Sequence, residues 1–236
     1  MGKLYRHGES WWYYYIIISL FKIPIPIIIL FFIGFFAIIK RYLKKWKFYF
    51  FLIPPLIIVF VFSFIAGRQL GLKYLLPAYP YLIVVVIYAV RELFKRKMLF
   101  KILSILLIVW LIIDNITIYP IYPNYLTYVN QFFINRTEVR KYFGDVNLDM
   151  GQDLPNLKKW LVKNNNPPIY FFYYGPTRLH DYGIKQSTHP EYVAVSATMF
   201  YISKNNKMIQ LLEKQTPLLI LNNTIYIYKI SDRKKD

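Results

Sequence analysis

The sequence predicts an α-helical polytopic membrane bundle of about four transmembrane helices, followed by a small extracytoplasmic α/β domain. Three observations carry that expectation. Hydrophobic residues make up 56% of the 236 positions, above the roughly 45–50% of soluble domains, so the excess calls for lipid. Nearly all continuous apolar runs lie before Tyr119, and the residues beyond it alternate helix and strand signals as a mixed domain does. Cations are bunched between the apolar runs. The division places a membrane domain at 1–117 and an α/β domain at 118–236.

Residues 1–12 are polar and end in Trp11 and Trp12, the composition of a segment approaching the headgroup region. A first span is predicted over 16–39, since about 20 residues rising 1.5 Å each cross the hydrocarbon. Lys22 and the Ile23-Pro24-Ile25-Pro26 run interrupt it, which suggests an aromatic opening segment and a helix from about Pro24, where proline is tolerated. Lys22 then lies near the surface or inside. The second span is 48–66, with Pro54-Pro55 placed near its cytoplasmic end. The third is 74–90, and its Pro77 and Pro80 are tolerable only where neighbours satisfy the freed carbonyls, so it should pack inside a larger bundle. The fourth is 98–116.

Orientation is set by the cations. The loops 40–47 and 91–97 carry five and four Lys/Arg, and the loop 67–73 carries two. The first two are therefore cytoplasmic, and the amino terminus and everything after Tyr119 lie outside. The same distribution accounts for the formal charge of +18. Residues 1–117 hold 15 Lys/Arg against 3 acids, and 118–236 hold 15 against 9. That is loop charge and no basic groove, so nucleic acid is excluded as a partner. The chain has no cysteine, hence no disulfide frame or thiolate site. His7, His180 and His189 show no ligand spacing, so no structural metal is expected.

In the second half, 125–134 has helical spacing. Asp153 is a plausible N-cap for a helix running to about Lys163, which Asn164–Pro168 stops. Strands are predicted at 169–174, 192–196 and 225–230, with a helix near 204–214.

Arg68 and Lys73 stand at the mouth of the third span beside Tyr74 and Tyr79. Cations there either hold the anionic head of a lipid-linked substrate or serve as interface anchors.

Seven stretches also occur in a telling order: YRHGESWWYYY…KIPIP, GLKYLLPAYPYL, YPNYLTYVNQF, DVNLDMGQDLPNLKKWL, YYG…YGI, YVAVSATMF and LLILNNTIYIYKI. This order resembles the carboxyl-terminal half of bacterial membrane glycosyltransferases of the GT-C superfamily, in the branch similar to protein O-mannosyltransferases, and it spans Tyr5 to Ile230. The resemblance implies transfer of a sugar from a polyprenyl-phosphate carrier to an extracytoplasmic lipid, glycan or protein. Such a transfer needs a carboxylate base and positive charge on the departing phosphate. In the superfamily the catalytic acids lie in an early loop with no counterpart here, so no catalytic residue is expected in this chain. The chain reads as a carboxyl-terminal fragment or one product of a split gene. The amino-terminal half, with any divalent metal, would come from the same gene or from a separate partner chain, and no cofactor is expected here.

Some positions carry over. Lys22 matches the lysine of the family's KtPxP element and, with Arg68, Lys73 and Tyr74, is a candidate for the lipid phosphate. Lys73 replaces an arginine, which keeps the charge and loses the bidentate fork. His7 and Glu9 match an acceptor-side loop. Asp149, Gln152 and Asp153 of NLDMGQDL are acceptor-side candidates too, although helix capping and loop hydrogen bonding account for the same residues. Met150 stands where the family has tryptophan, which weakens a sugar-stacking role. Two competing readings are a non-catalytic membrane subunit that binds or positions such an enzyme or its acceptor, and a transporter piece. The latter should bury charges mid-span, and only Lys22 and Asp114, near span ends, are available.

Overall fold

A computed structural model describes residues 12–65, 71–118, 125–133, 139–143 and 146–230. These fall into two compact units. A helical unit draws on Tyr5–Pro120 and Val129–Ile134, and a sheet unit on Ile121–Tyr128 and Asn135–Asp236.

The helical unit opens with α1 (Tyr14–Lys22), followed by α2 (Ile25–Tyr42), α3 (Trp46–Phe60), a 3-10 turn (Leu72–Ala78), α4 (Tyr79–Phe94) and α5 (Met98–Ile118). Among the described residues, four helical segments are long and apolar enough to cross a membrane: Ile25–Tyr42, Phe48–Ile65, Leu72–Phe94 and Met98–Thr117. The first predicted span, 16–39, is divided at the Ile23–Pro26 run, as the sequence suggests. Ile23 is extended and Pro24 starts a new helix, because proline lacks the amide that would bond the Leu20 carbonyl. The third segment begins as a 3-10 turn containing Pro77 and becomes α-helical only at Tyr79. Pro54 and Pro55 sit in the middle of α3, not near its end, and that helix finishes in a π-helical turn, Val61–Ile65.

Two apolar clusters hold these helices. Leu30, Ala89, Leu93 and Leu107 join α2, α4 and α5, and Ile38, Phe48 and Val85 join α2, α3 and α4. The α2–α4 contact is close because Gly34 lies against α4. A Cβ built there would come within 2.2 Å of the Val85 carbonyl oxygen and 3.1 Å of the Ala89 Cβ. Small residues that let backbones approach are the usual means of packing helices in lipid. Outward faces carry Phe36, Phe50, Ile57, Ile87, Leu99 and Ile112, all well exposed. An apolar exterior on this scale suits lipid or further helices and not water.

The stretch 125–134 is not the helix its spacing suggests. Only Tyr125–Thr127 forms a 3-10 turn, and the described residues beyond it are non-helical. Tertiary hydrogen bonds have replaced the local ones. The Asn130 amide donates to the Phe21 carbonyl at 2.8 Å, and its side-chain nitrogen donates to Leu20 O at 2.6 Å and Ile23 O at 2.7 Å. Gln131 donates to the buried Asp114 carboxylate at 2.6 Å, and the Phe133 ring meets Phe21 edge-on at 6.0 Å.

The sheet unit has α6 (Val139–Tyr142), α7 (Leu154–Lys163), α8 (Met199–Ile202) and α9 (Lys207–Glu213). Its strands are β1 (Ile169–Phe172), β2 (Tyr192–Ser196), β3 (Leu219–Leu221) and β4 (Ile225–Lys229). Strand order is β1-β2-β4-β3, with β1 parallel to β2 and the remaining pairs antiparallel. Leu154, Leu157 and Leu161 of α7 recur at helical spacing and pack on Ile169, Phe171, Ala194, Ile225 and Ile227. Burial of each such leucine is worth about 1.5–3 kcal/mol. Strand β3, not expected from the sequence, pairs with β4 through a three-residue turn, Asn222–Thr224. Asn222 and Asn223 there adopt φ of 45° and 62°, the left-handed pair that short hairpins favour. Arg140 lies 3.9 Å from the Phe200 ring centroid and pairs with Glu213 at 3.2 Å.

Candidate functional site

In the sheet unit the NLDMGQDL stretch forms a loop leading into α7. Asp149 and Asp153 are both 1% exposed. Asp149 accepts the Gly151 amide at 3.0 Å and the Thr198 amide at 3.2 Å. Asp153 accepts the side-chain nitrogens of Asn156 at 2.6 Å and Asn222 at 2.9 Å, and the Thr224 hydroxyl. Asp153 occupies the N-cap position, as expected, but its carboxylate makes no capping bond to the helix amides; side chains of α7 and of the β3–β4 turn take it instead. Gln152 closes the loop on itself, accepting the Met150 amide at 2.7 Å and donating to Leu148 O at 2.8 Å. Gly151 (φ +78°) is required at the tip, since a Cβ would fall 2.3 Å from the Tyr173 hydroxyl and 2.9 Å from Gly175.

The loop, itself one of the seven ordered stretches, therefore packs with three of the others. Asp149 reaches SAT at Thr198, Asp153 reaches NNT at Asn222 and Thr224, and Gly151 meets YYG at Tyr173 and Gly175. The structure brings Asp149, Gln152 and Asp153 together, with both carboxylates turned inward. Thr198, Thr224, Tyr173 and Asn222 are the partners that sequence reasoning did not single out. Their motif membership was the available signal.

Burial raises the Asp149 carboxyl to about 6, with Asp153 adding to the rise and the two amides opposing it. The folded value lies above the unfolded one, so this group's stabilising contribution is full below the unfolded value near 3.8 and is lost as pH rises through about 6. The loss amounts to about 3 kcal/mol between pH 3.5 and 7.5. Asp149→Asn removes this pH dependence, at the expense of one amide acceptor. Measured by tryptophan fluorescence unfolding in detergent, the stability of wild type relative to Asp149→Asn should fall steadily from pH 4 to 7. A constant difference would refute the assignment.

In the helical unit, α1, the front of α2, the middle of α3 and the start of α4 enclose an apolar groove of about 380 Å³. Tyr15, Ser19, Phe31, Pro55, Leu75 and Tyr79 are among its lining residues. That volume is in the range of about 300–1,000 Å³ common for small-ligand pockets. Lys22 is the half-buried last residue of α1, between groove-lining Leu20 and Ile23. Lys73 and Tyr74 directly precede groove-lining Leu75. Lys73 is exposed, its ammonium 5.6 Å from the Tyr74 ring centroid, and Tyr74 packs on Phe62 at 5.0 Å. Arg68, His7 and Glu9 lie outside the described residues.

Fold and sites together define a two-unit chain. A unit with four potential membrane-crossing helices holds an apolar groove, and a mixed four-stranded sheet unit carries an inward-facing polar loop. No protein-family model matches this chain, and no curated protein or solved structure is similar enough to count as a match.

Proposed function

We propose that this chain is a multi-pass protein of the cell membrane that binds a polyprenyl-phosphate-linked sugar and acts as the carboxyl-terminal part of a membrane glycosyltransferase. The observation that carries the reading is the apolar groove, with Lys22, Lys73 and Tyr74 adjoining groove-lining residues in the chain. The groove suits an isoprenoid tail, and the cations suit its phosphate at the water boundary. The positive-inside bias of the 40–47 and 91–97 loops supports an extracytoplasmic sheet unit, which a topology reporter fused at the carboxyl terminus would read.

One observation favours the second reading, a non-catalytic subunit that positions a transferase or its acceptor. Asp149 and Asp153 have their oxygens occupied inside the sheet unit, so neither stands ready to take an acceptor's proton.

The first reading requires donor binding, which a subunit that only positions a transferase or its acceptor does not. Purified full chain should be labelled by a photoreactive polyprenyl-phosphate analogue, and Lys22→Gln/Lys73→Gln should reduce labelling by more than about tenfold, since each charge-assisted contact is worth about 1.5–3 kcal/mol. Undiminished labelling in a folded double variant overturns this phosphate site.

A further inference from the structure

We propose that the end of the helical unit formed by the α2–α3 and α4–α5 connections binds anionic phospholipid headgroups, with Arg41, Lys45 and Lys95 holding the phosphate. Three segments bring these cations together. Arg41 lies in the last turn of α2, Lys45 in the connection to α3, and Lys95 just after α4. Arg41 and Lys45 both lie over the Tyr42 ring, at 5.6 and 5.2 Å from its centroid. Arg41 and Lys95 both reach the same oxygen of Glu92, at 3.6 and 3.0 Å. Tyr42 in turn packs edge-on against Tyr88 at 6.1 Å, which braces the α2 side of the cluster on α4.

The cluster is short of negative charge. Arg41 and Lys95 share one carboxylate, and across 40–47 and 91–101 ten Lys/Arg stand against Glu92 as the single acid. Like charges gathered in this way repel unless an anion joins them. The surroundings select the anion. Trp46, Phe50, Met98 and Leu99, each between 66% and 72% exposed, come after the cations along the chain. Tyr49 anchors this belt by donating to Leu43 O at 3.0 Å. A phosphate carried on acyl chains satisfies both the cations and the belt, and a soluble anion satisfies only the first. This surface is distinct from the groove cations. Lys22 precedes α2 and Arg41 lies at its far end, and the helix from Ile25 to Arg41 rises about 24 Å.

The inference rests on the membrane placement of the helices, and the experiment separates the two. Full-length protein is reconstituted into nanodiscs of phosphatidylcholine alone or with phosphatidylglycerol, and bound lipid is counted after release by native mass spectrometry. Wild type should retain phosphatidylglycerol over phosphatidylcholine by about tenfold, given several basic residues at the surface. Arg41→Gln/Lys45→Gln/Lys95→Gln should lose the preference, and Glu92→Gln should strengthen it. Equal retention of the two lipids by wild type overturns the inference, and so does a triple variant that keeps the preference. Competition by inorganic phosphate that abolishes phosphatidylglycerol retention would show a soluble-anion site and overturn the lipid assignment. Failure to enter discs of either composition overturns the membrane placement as well. If the triple variant does not fold, the wild-type preference and its response to Glu92→Gln decide.

Discussion

Gly34→Ala is expected to destabilise the helical unit by about 2 kcal/mol, and Gly34→Leu to prevent its assembly. Helix propensity alone predicts the opposite for alanine, which favours a helix over glycine by about 1 kcal/mol. Packing overrides propensity because the new methyl would meet the Val85 carbonyl oxygen at 2.2 Å and Val85 Cγ1 at 3.0 Å. The first of these is backbone and cannot swing aside, so α2 and α4 must separate. Overpacking of this kind costs about 1–3 kcal/mol. Separation also loosens the α2–α4 packing in both apolar clusters, at Leu30 and Ala89 in one and at Ile38 and Val85 in the other. Thermal unfolding of the full chain in detergent checks the result. The exposed Phe36→Leu on the same helix serves as a control expected to change little. A Gly34→Ala variant as stable as wild type would refute the close approach.

Asn130→Ala should be at least as damaging, by about 2–5 kcal/mol, and Asn130→Asp worse still. Asn130 is fully buried and supplies donors to three carbonyls at the end of α1. Alanine leaves the Leu20 and Ile23 oxygens without these bonds, and each buried group so stranded costs about 1–3 kcal/mol. Aspartate turns donor into acceptor and adds repulsion between oxygens. The ordering of the two variants is the discriminating feature. If aspartate is tolerated as well as alanine, Asn130 is not acting as a donor. Limited proteolysis around 20–24 gives a second readout, since α1 should detach from the break at Pro24.

How far the sequence could be read depends on the element. The long apolar helices are legible because their length and composition are local properties, and three of the four begin within two residues of expectation. Strands β1, β2 and β4 start where β-branched and aromatic residues cluster, at 169, 192 and 225. Strand β3 has three residues, too few for a period to show, and only its two-asparagine turn could have marked it. The 125–134 stretch misled because helical spacing is a preference of an isolated segment. The carbonyls at 20, 21 and 23 offered Asn130 stronger partners than its own turn.

The candidate site divides in the same way. Sequence grouped Asp149, Gln152 and Asp153 correctly as neighbours, since five positions of one loop cannot lie far apart. It left open whether their carboxylates face a substrate or their own fold. Thr198, Asn222 and Thr224 answer that, and they lie 45 or more positions away. Pro24 shows the contrast most plainly. Proline's missing amide announces from sequence alone that the Leu20 carbonyl needs another donor. Which donor fills the gap is decided by packing: a side chain some 110 positions along the chain arrives there. Hydrophobic run length, charge bias and helix breaks are written residue by residue, so sequence determined them. The partner of each buried polar group depends on where distant segments meet, and only the tertiary structure decides it.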